Sequence, residues 1–312
     1  MSLSKPTNGN TKIRPKFSAP WFYYHLTTIQ SGTAVVFTTF LATHLSATAL
    51  ATVGGIELTN KTIVLGRVYY QNRFLEPVIV FGSLWGHVLA GIAKGIIRLY
   101  WKRKVRDQRK LTGDVHEKVE KIITDETDDK GVVVRQKITT RITTTTTDSH
   151  ISRAIGLILP YHRETGYLLI PLVLGHAFVA RGLPRRYFGD SSLIDATYIT
   201  LALKRWPRST YLALTVLVTL GVFHAVSGAP AVFKILKSVL SKKGVEKQPG
   251  LSEAAKRRQR IIRNGVIVST VGLLTAGILV IGGKIGRNDI RIPLRTEYLR
   301  VYGQIYPKNW VN

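Results

Sequence analysis

Four histidines, His44, His87, His176 and His224, sit in four separate apolar stretches of this 312-residue chain and are its strongest candidates for chemistry. The chain has no cysteine, and its single methionine is the first residue. Disulfides, cysteine zinc sites, thiolate-held clusters, cysteine nucleophiles and covalently attached haem are therefore excluded. Histidines, carboxylates and tyrosines are the ligands left for a metal or haem iron, and bis-histidine is the main axial arrangement open to a low-spin haem. A small residue follows each histidine by four positions: Thr48, Gly91, Ala180 and Gly228. At that spacing the two lie about one helical turn apart on the same face, which leaves room for a flat group beside the ring. This is the pattern that bis-histidine haem b needs, with Arg181 close enough to the same membrane edge to meet a propionate. The other role open to these side chains is hydrogen bonding between helices. Four histidines could serve two haems, or two could ligate and two support the structure.

The elements that must position them are apolar runs at 28–53, 77–99, 166–183, 211–235 and 266–283. Each is about long enough to cross a hydrocarbon core of roughly 30 Å at about 1.5 Å per helical residue. The two shortest runs, the third and fifth, also suit buried core helices. Lipid leaves no alternative to helix, because an open strand would strand its backbone polar groups. Tryptophan and tyrosine mark the edges, with Trp21, Tyr23 and Tyr24 before the first run, Tyr100 and Trp101 after the second, and Trp206 and Tyr211 at the fourth.

The expected fold is an all-α membrane protein of five transmembrane helices. An ionisable side chain inside a membrane is a functional candidate by default, and by these boundaries the four histidines lie at similar depth. Matched histidines recur at offsets of 132 (His44 to His176) and 137 (His87 to His224). A duplicated two-helix unit forming a four-helix bundle, plus one extra helix, accounts for this. Gly82, Gly86 and Ala90 form a small-residue stripe that permits close helix approach.

The expected organisation is a cytosolic tail (1–27), a first two-helix unit (28–99), a cytosolic loop (100–165), a second unit (166–235), a basic loop (236–265), the fifth helix (266–283) and a carboxyl-terminal tail (284–312). The loop at 111–149 is polar, with an Asp128-Asp129-Lys130-Gly131 turn before a β-branched stretch at 132–147. That pattern reads as a small β-hairpin or as a threonine-rich linker.

Net charge is +27, from 45 basic and 18 acidic residues, while 45% of the chain is hydrophobic. The charges flank the apolar runs and lack the base-stacking chemistry of a nucleic-acid binder, so no nucleic-acid partner is expected. Of the basic residues, 29 fall on the side of the amino terminus and 15 on the other, which places the amino terminus in the cytosol. Runs such as Trp101-Lys102-Arg103-Lys104 and Lys256-Arg257-Arg258-Gln259-Arg260 would lie against an anionic leaflet of phospholipids or be solvated loops. No phosphate-binding glycine loop, nucleophile elbow or paired carboxylate within a span points to an enzyme.

Gln30-Ser31-Gly32 with His44, Trp85-Gly86-His87, Thr165-Gly166-Tyr167 with His176, Arg181 and Pro184, and His224 together resemble a fungal family, the Mdm-ten-complementing protein one adapters. The resemblance covers about Ser31 to Phe233. It implies a multi-pass protein of the mitochondrial outer membrane that recruits a bridge-like lipid-transfer protein of the Vps-thirteen type at membrane contact sites, supports lipid homeostasis and acts as a lipid scramblase. The membrane helices of that family resemble the haem-binding anchors of succinate dehydrogenase, which implies a b-type cytochrome-like alternative. Adapters for the transfer protein carry a Pro-x-Pro motif. Here the tail has Pro6, Pro15 and Pro20 spaced apart, and 13–20 is the nearest substitute.

Overall fold

A membrane helix must satisfy its polar groups without water, and the threonine-rich first span does so within itself. Thr27, Thr33, Thr39 and Thr43 each donate a hydroxyl to the carbonyl four residues earlier, at 2.8–3.1 Å. The computed structural model describes residues 19–112, 117–127, 133–144, 160–240, 252–286 and 289–305. Pro6, Pro15 and most of the segment 13–20, and the turn expected at Asp128 to Gly131, lie outside them.

Helix α1 runs over Ala19–Tyr70, 52 residues. That is far longer than one crossing of a core of roughly 30 Å requires. It breaks at Gly54 and Gly55, where Gly55 takes φ 61° and ψ −154°, a conformation open to glycine because no Cβ obstructs it. Residues 56–70 continue as a second helical stretch beyond the kink.

A π-helical turn, Glu76–Gly82, leads into α2, Ser83–Thr112. Helix α3, Pro160–Ala177, passes through a second π-helical turn, Phe178–Gly182, into the short α4, Leu183–Phe188. Then follow α5 (Ala196–Arg205), α6 (Pro207–Leu240), α7 (Glu253–Ile281) and α8 (Arg295–Tyr302). Five stretches are long and apolar enough to cross a membrane: Trp21–Tyr70, Glu76–Lys104, Tyr161–Phe188, Pro207–Val239 and Glu253–Ile281. The first four contain the first four apolar runs, the fifth takes in 266–281 of the last, and the all-α membrane fold is as the sequence predicts.

The chain divides into two units, residues 1–94 with 160–312, and residues 95–159. The second holds the end of α2 and an antiparallel hairpin, β1 (Glu117–Thr127) with β2 (Val133–Thr144). Its register pairs Glu117 with Thr144 and Ile123 with Ile138.

In the first unit α7 is no appendage to a four-helix bundle. A Cβ placed on Gly277 would collide with the backbone carbonyl of Thr48 in α1, so these two helices meet backbone to backbone, as small residues allow in membranes. Ala51, Leu203, Ile278 and Ile281 are buried together where α1, α5 and α7 converge, with Tyr211 and Leu214 of α6 packed on them. The buried Thr200 hydroxyl donates to the Ile281 carbonyl at 2.8 Å, satisfying an acceptor left open at the end of α7.

The carboxyl-terminal segment, expected as a tail, folds back as α8. Tyr298, Val301 and Tyr302 are buried against Leu183, Tyr198 and Trp206, and the Tyr198 and Tyr302 rings stack with centroids 4.4 Å apart. Tyr298 donates to the Leu193 carbonyl at 3.0 Å and to Asp195 at 3.3 Å, and burial pushes its phenol pKa up. The basic runs are helical too: Lys102 to Lys104 lie in α2, and Lys256 to Arg260 lie in the opening turns of α7, whose Ser252 cap accepts from the Ala255 amide at 3.3 Å.

The Gly277 contact is directly testable. Gly277→Val should destabilise the detergent-purified protein by about 1–3 kcal/mol, the usual cost of overpacking, read as a lower thermal midpoint. Gly265→Val on the same helix, where a Cβ meets open space, should change it little.

Candidate functional site

The repeat gives the histidines their geometry. His44 of α1 faces His176 of α3 with ring centroids 6.0 Å apart and planes at 67°. His87 of α2 faces His224 of α6, again at 6.0 Å, with planes at 86°. Each histidine therefore meets its own counterpart in the other repeat.

The expectation of similar depth does not hold. The His87 Nδ1 bonds the Gln30 carbonyl at 3.0 Å, which sets His87 level with Gln30 on α1. His44 lies fourteen residues further along the same helix, about 21 Å at about 1.5 Å per residue. The second repeat does the same: the His224 Nδ1 bonds the His162 carbonyl at 2.9 Å, and His176 lies fourteen residues beyond His162. The sequence-derived depths failed because span ends judged by hydropathy do not fix how one helix slides along another.

The lower layer is a polar seam. Lys94 donates to the Gln30 side chain at 3.0 Å and sits over the Tyr23 ring, 5.1 Å from its centroid. Gln30 leads to His87, His87 to His224, and His162 stacks on His224 with centroids 4.1 Å apart and planes at 11°. The His162 Nδ1 is buried with no hydrogen-bond partner among the described residues. Three of its members, Gln30, Lys94 and His162, were not singled out as site residues from sequence. A signal existed, since Gln30 and His162 are separated by 132, the offset of His44 and His176.

The small residues do different work from that expected. A Cβ on Gly91 would approach the Gln30 amide nitrogen at 2.9 Å, and one on Gly228 would approach the His162 ring at 2.8 Å. Room kept beside His87 and His224 is thus filled by protein side chains, and that layer does not fit a macrocycle beside them. Thr48 is spent on the contact with Gly277. The His44 and His176 layer differs: both rings are part-buried, Phe40 stacks on His44 at 5.5 Å, and neither ring bonds a carbonyl among the described residues. Its donor set, one imidazole from each repeat, fits axial ligation.

Arg181 meets a carboxylate of this chain. Its Nε and terminal nitrogen donate to the two oxygens of Glu76 at 2.7 and 2.6 Å, with side-chain exposures of 19% for Arg181 and 12% for Glu76. This bidentate pair joins the two π-helical turns, one from each repeat, and Tyr198 donates to the Val179 carbonyl at 3.1 Å beside it. Both features place spare polar groups of irregular helix in contact with partners.

Residues 171–287 match the family model for the transmembrane domain of MDM10-complementing protein 1. The resemblance read from the sequence is thereby borne out over the third to fifth spans. The matched region takes in α7, which lay outside the residues that first carried the resemblance. No curated protein and no solved structure matches the chain.

The ion pair makes a quantitative test. Glu76→Ala and Arg181→Ala should each destabilise by about 3–5 kcal/mol, because each leaves a largely buried charge alone. The double variant should lose much less than the sum. Additive losses in a double-mutant cycle would show that the pair is not coupled.

Proposed function

We propose that this is a multi-pass protein of the mitochondrial outer membrane, amino terminus cytosolic, that acts as an adapter in lipid homeostasis at membrane contact sites. In this reading it is not an enzyme of the soluble type. It recruits a bridge-like lipid-transfer protein of the Vps-thirteen type to its cytosolic face and lets phospholipids exchange between leaflets. The observation that carries the reading is the match of residues 171–287 to the transmembrane domain of MDM10-complementing protein 1. The polar seam from Lys94 to His162 supports the leaflet-exchange part, since it sets polar and ionisable groups among otherwise apolar helices, where a headgroup entering from that side would meet them. The long basic extensions of α2 and α7 support contact with an anionic surface.

Full-length protein on a resin should capture the transfer protein, and a variant lacking residues 2–20 should not. Equal capture by both would move recruitment elsewhere, and none by either would remove the adapter role. In liposomes carrying fluorescent phospholipid, the protein should make the inner-leaflet label accessible to an external quencher. Unchanged protection would remove the scramblase role.

A second reading rests on the layer of His44 and His176. There the two imidazoles would hold haem b, which would supply one-electron transfer. Purified protein should then show a Soret band that shifts on reduction and is lost in His44→Ala and His176→Ala, while His87→Ala retains it. Absence of the band from protein expressed with haem supplied would remove this reading.

A further inference from the structure

Beyond the Gly55 kink, residues Val64, Arg67, Val68 and Gln71 lie at the helical spacing of one face, and together with Arg181, Asp190 and Ser192 they line an open groove of about 360 Å³. Its position is set by the chain: Arg181 lies in the π-helical turn toward the end of the third span, and the post-kink helix is the last part of the first. The lip of the groove is greasy. Val68 is 70% exposed and Tyr69 64%, with Leu65 beside them also exposed, as for a helix face that lies in the interfacial layer of a bilayer.

The floor carries opposite charges that do not cancel one another by contact. Arg181 is neutralised by Glu76. Arg67 donates to the Ser192 carbonyl at 2.8 Å and to the Ile194 carbonyl, while its buried Nε has no hydrogen-bond partner and no carboxylate lies within ion-pair distance of it among the described residues. Two of the five guanidinium N–H donors are thereby used and three remain. Asp190 is exposed, accepts from the Ser191 amide at 2.6 Å, and is held below the usual carboxylate range by the Ser192 hydroxyl. It likewise forms no ion pair among the described residues. The groove thus offers, among the described residues, one cation with no carboxylate in ion-pair contact, one anion with no cation in ion-pair contact, and an apolar lip.

We propose that this groove binds the headgroup of a zwitterionic phospholipid, phosphatidylcholine or phosphatidylethanolamine. The phosphate diester lies against Arg67, the ammonium against Asp190, and the acyl chains leave past Val64 and Val68. The proposal deepens the lipid-homeostasis reading by naming the lipid class and the place where it docks on the non-cytosolic side. A singly anionic headgroup without an amine would satisfy Arg67 and leave Asp190 facing its phosphate.

The test uses full-length protein in detergent and native mass spectrometry with four probes: dihexanoyl-phosphatidylcholine, dihexanoyl-phosphatidylglycerol, glycerophosphocholine and inorganic phosphate. The choline lipid should bind tightest, glycerophosphocholine weaker but detectably, and inorganic phosphate weakest. Asp190→Asn should lower the preference for the choline lipid over the glycerol lipid by about two- to fivefold, the contribution of one exposed ion pair. Asp190 is at the surface, so this variant should fold. Arg67→Gln should weaken all four probes, with Arg67→Lys restoring part of the binding and serving as the control if the glutamine variant unfolds. Val68→Asp should weaken the two lipids and spare glycerophosphocholine. Equal binding of phosphate and choline lipid, or a preference indifferent to Asp190→Asn, overturns the proposal. Loss of partner capture or of scrambling leaves these affinities unaffected, so failure of the broader reading and failure of the groove are distinguishable.

Discussion

The structure depends on one constraint: inside lipid a polar group must find its partner in the protein. The threonines of α1 answer it within their own helix, at carbonyls one turn back. The histidines cannot, because an imidazole reaches past its own turn, so they draw partners from other helices. His87 takes the Gln30 carbonyl and His224 takes the His162 carbonyl. Those two bonds fix how α2 stands against α1 and how α6 stands against α3, and they do so in the same way twice.

From that duplicated pairing the two layers follow. Once α2 is pinned level with Gln30 and α6 level with His162, His44 and His176 lie about 21 Å further along their helices, where they meet each other. At the same end the π-helical turns of the second and third spans are locked by Glu76 and Arg181, and α5 and α8 cap them with a cluster of buried tyrosines. The molecule is thus polar and histidine-rich toward one face, closed by an ion pair and an aromatic cap toward the other.

The five spans, the hairpin and the kinship of the two halves were legible in the sequence because each leaves a local mark: an apolar run, an alternation around a turn, a recurring histidine offset. Contacts between elements left weaker marks. Arg181 was assigned to a propionate because Glu76 stands just ahead of Pro77 and gave no sign of turning inward. Gln30 sat in the motif that carried the family resemblance, yet its place in the site needed the offset of 132 to be applied to a glutamine and a histidine as equivalents. The carboxyl-terminal helix was missed because Tyr298, Val301 and Tyr302 are too few to signal burial without the surface they pack on.

The pairing of like positions across the repeat is the claim on which the rest stands, and a chain without cysteine is suited to test it. Cysteine pairs placed at 44 with 176, at 87 with 224, and at 44 with 224 should be treated in membranes with a short thiol crosslinker, and closure read as a gel shift after cleavage at a protease site inserted at 113–116. The first two pairs should close and the third should not, since its members lie in different layers. Efficient closure of 44 with 224, or failure of both like-position pairs in folded protein, would contradict the account.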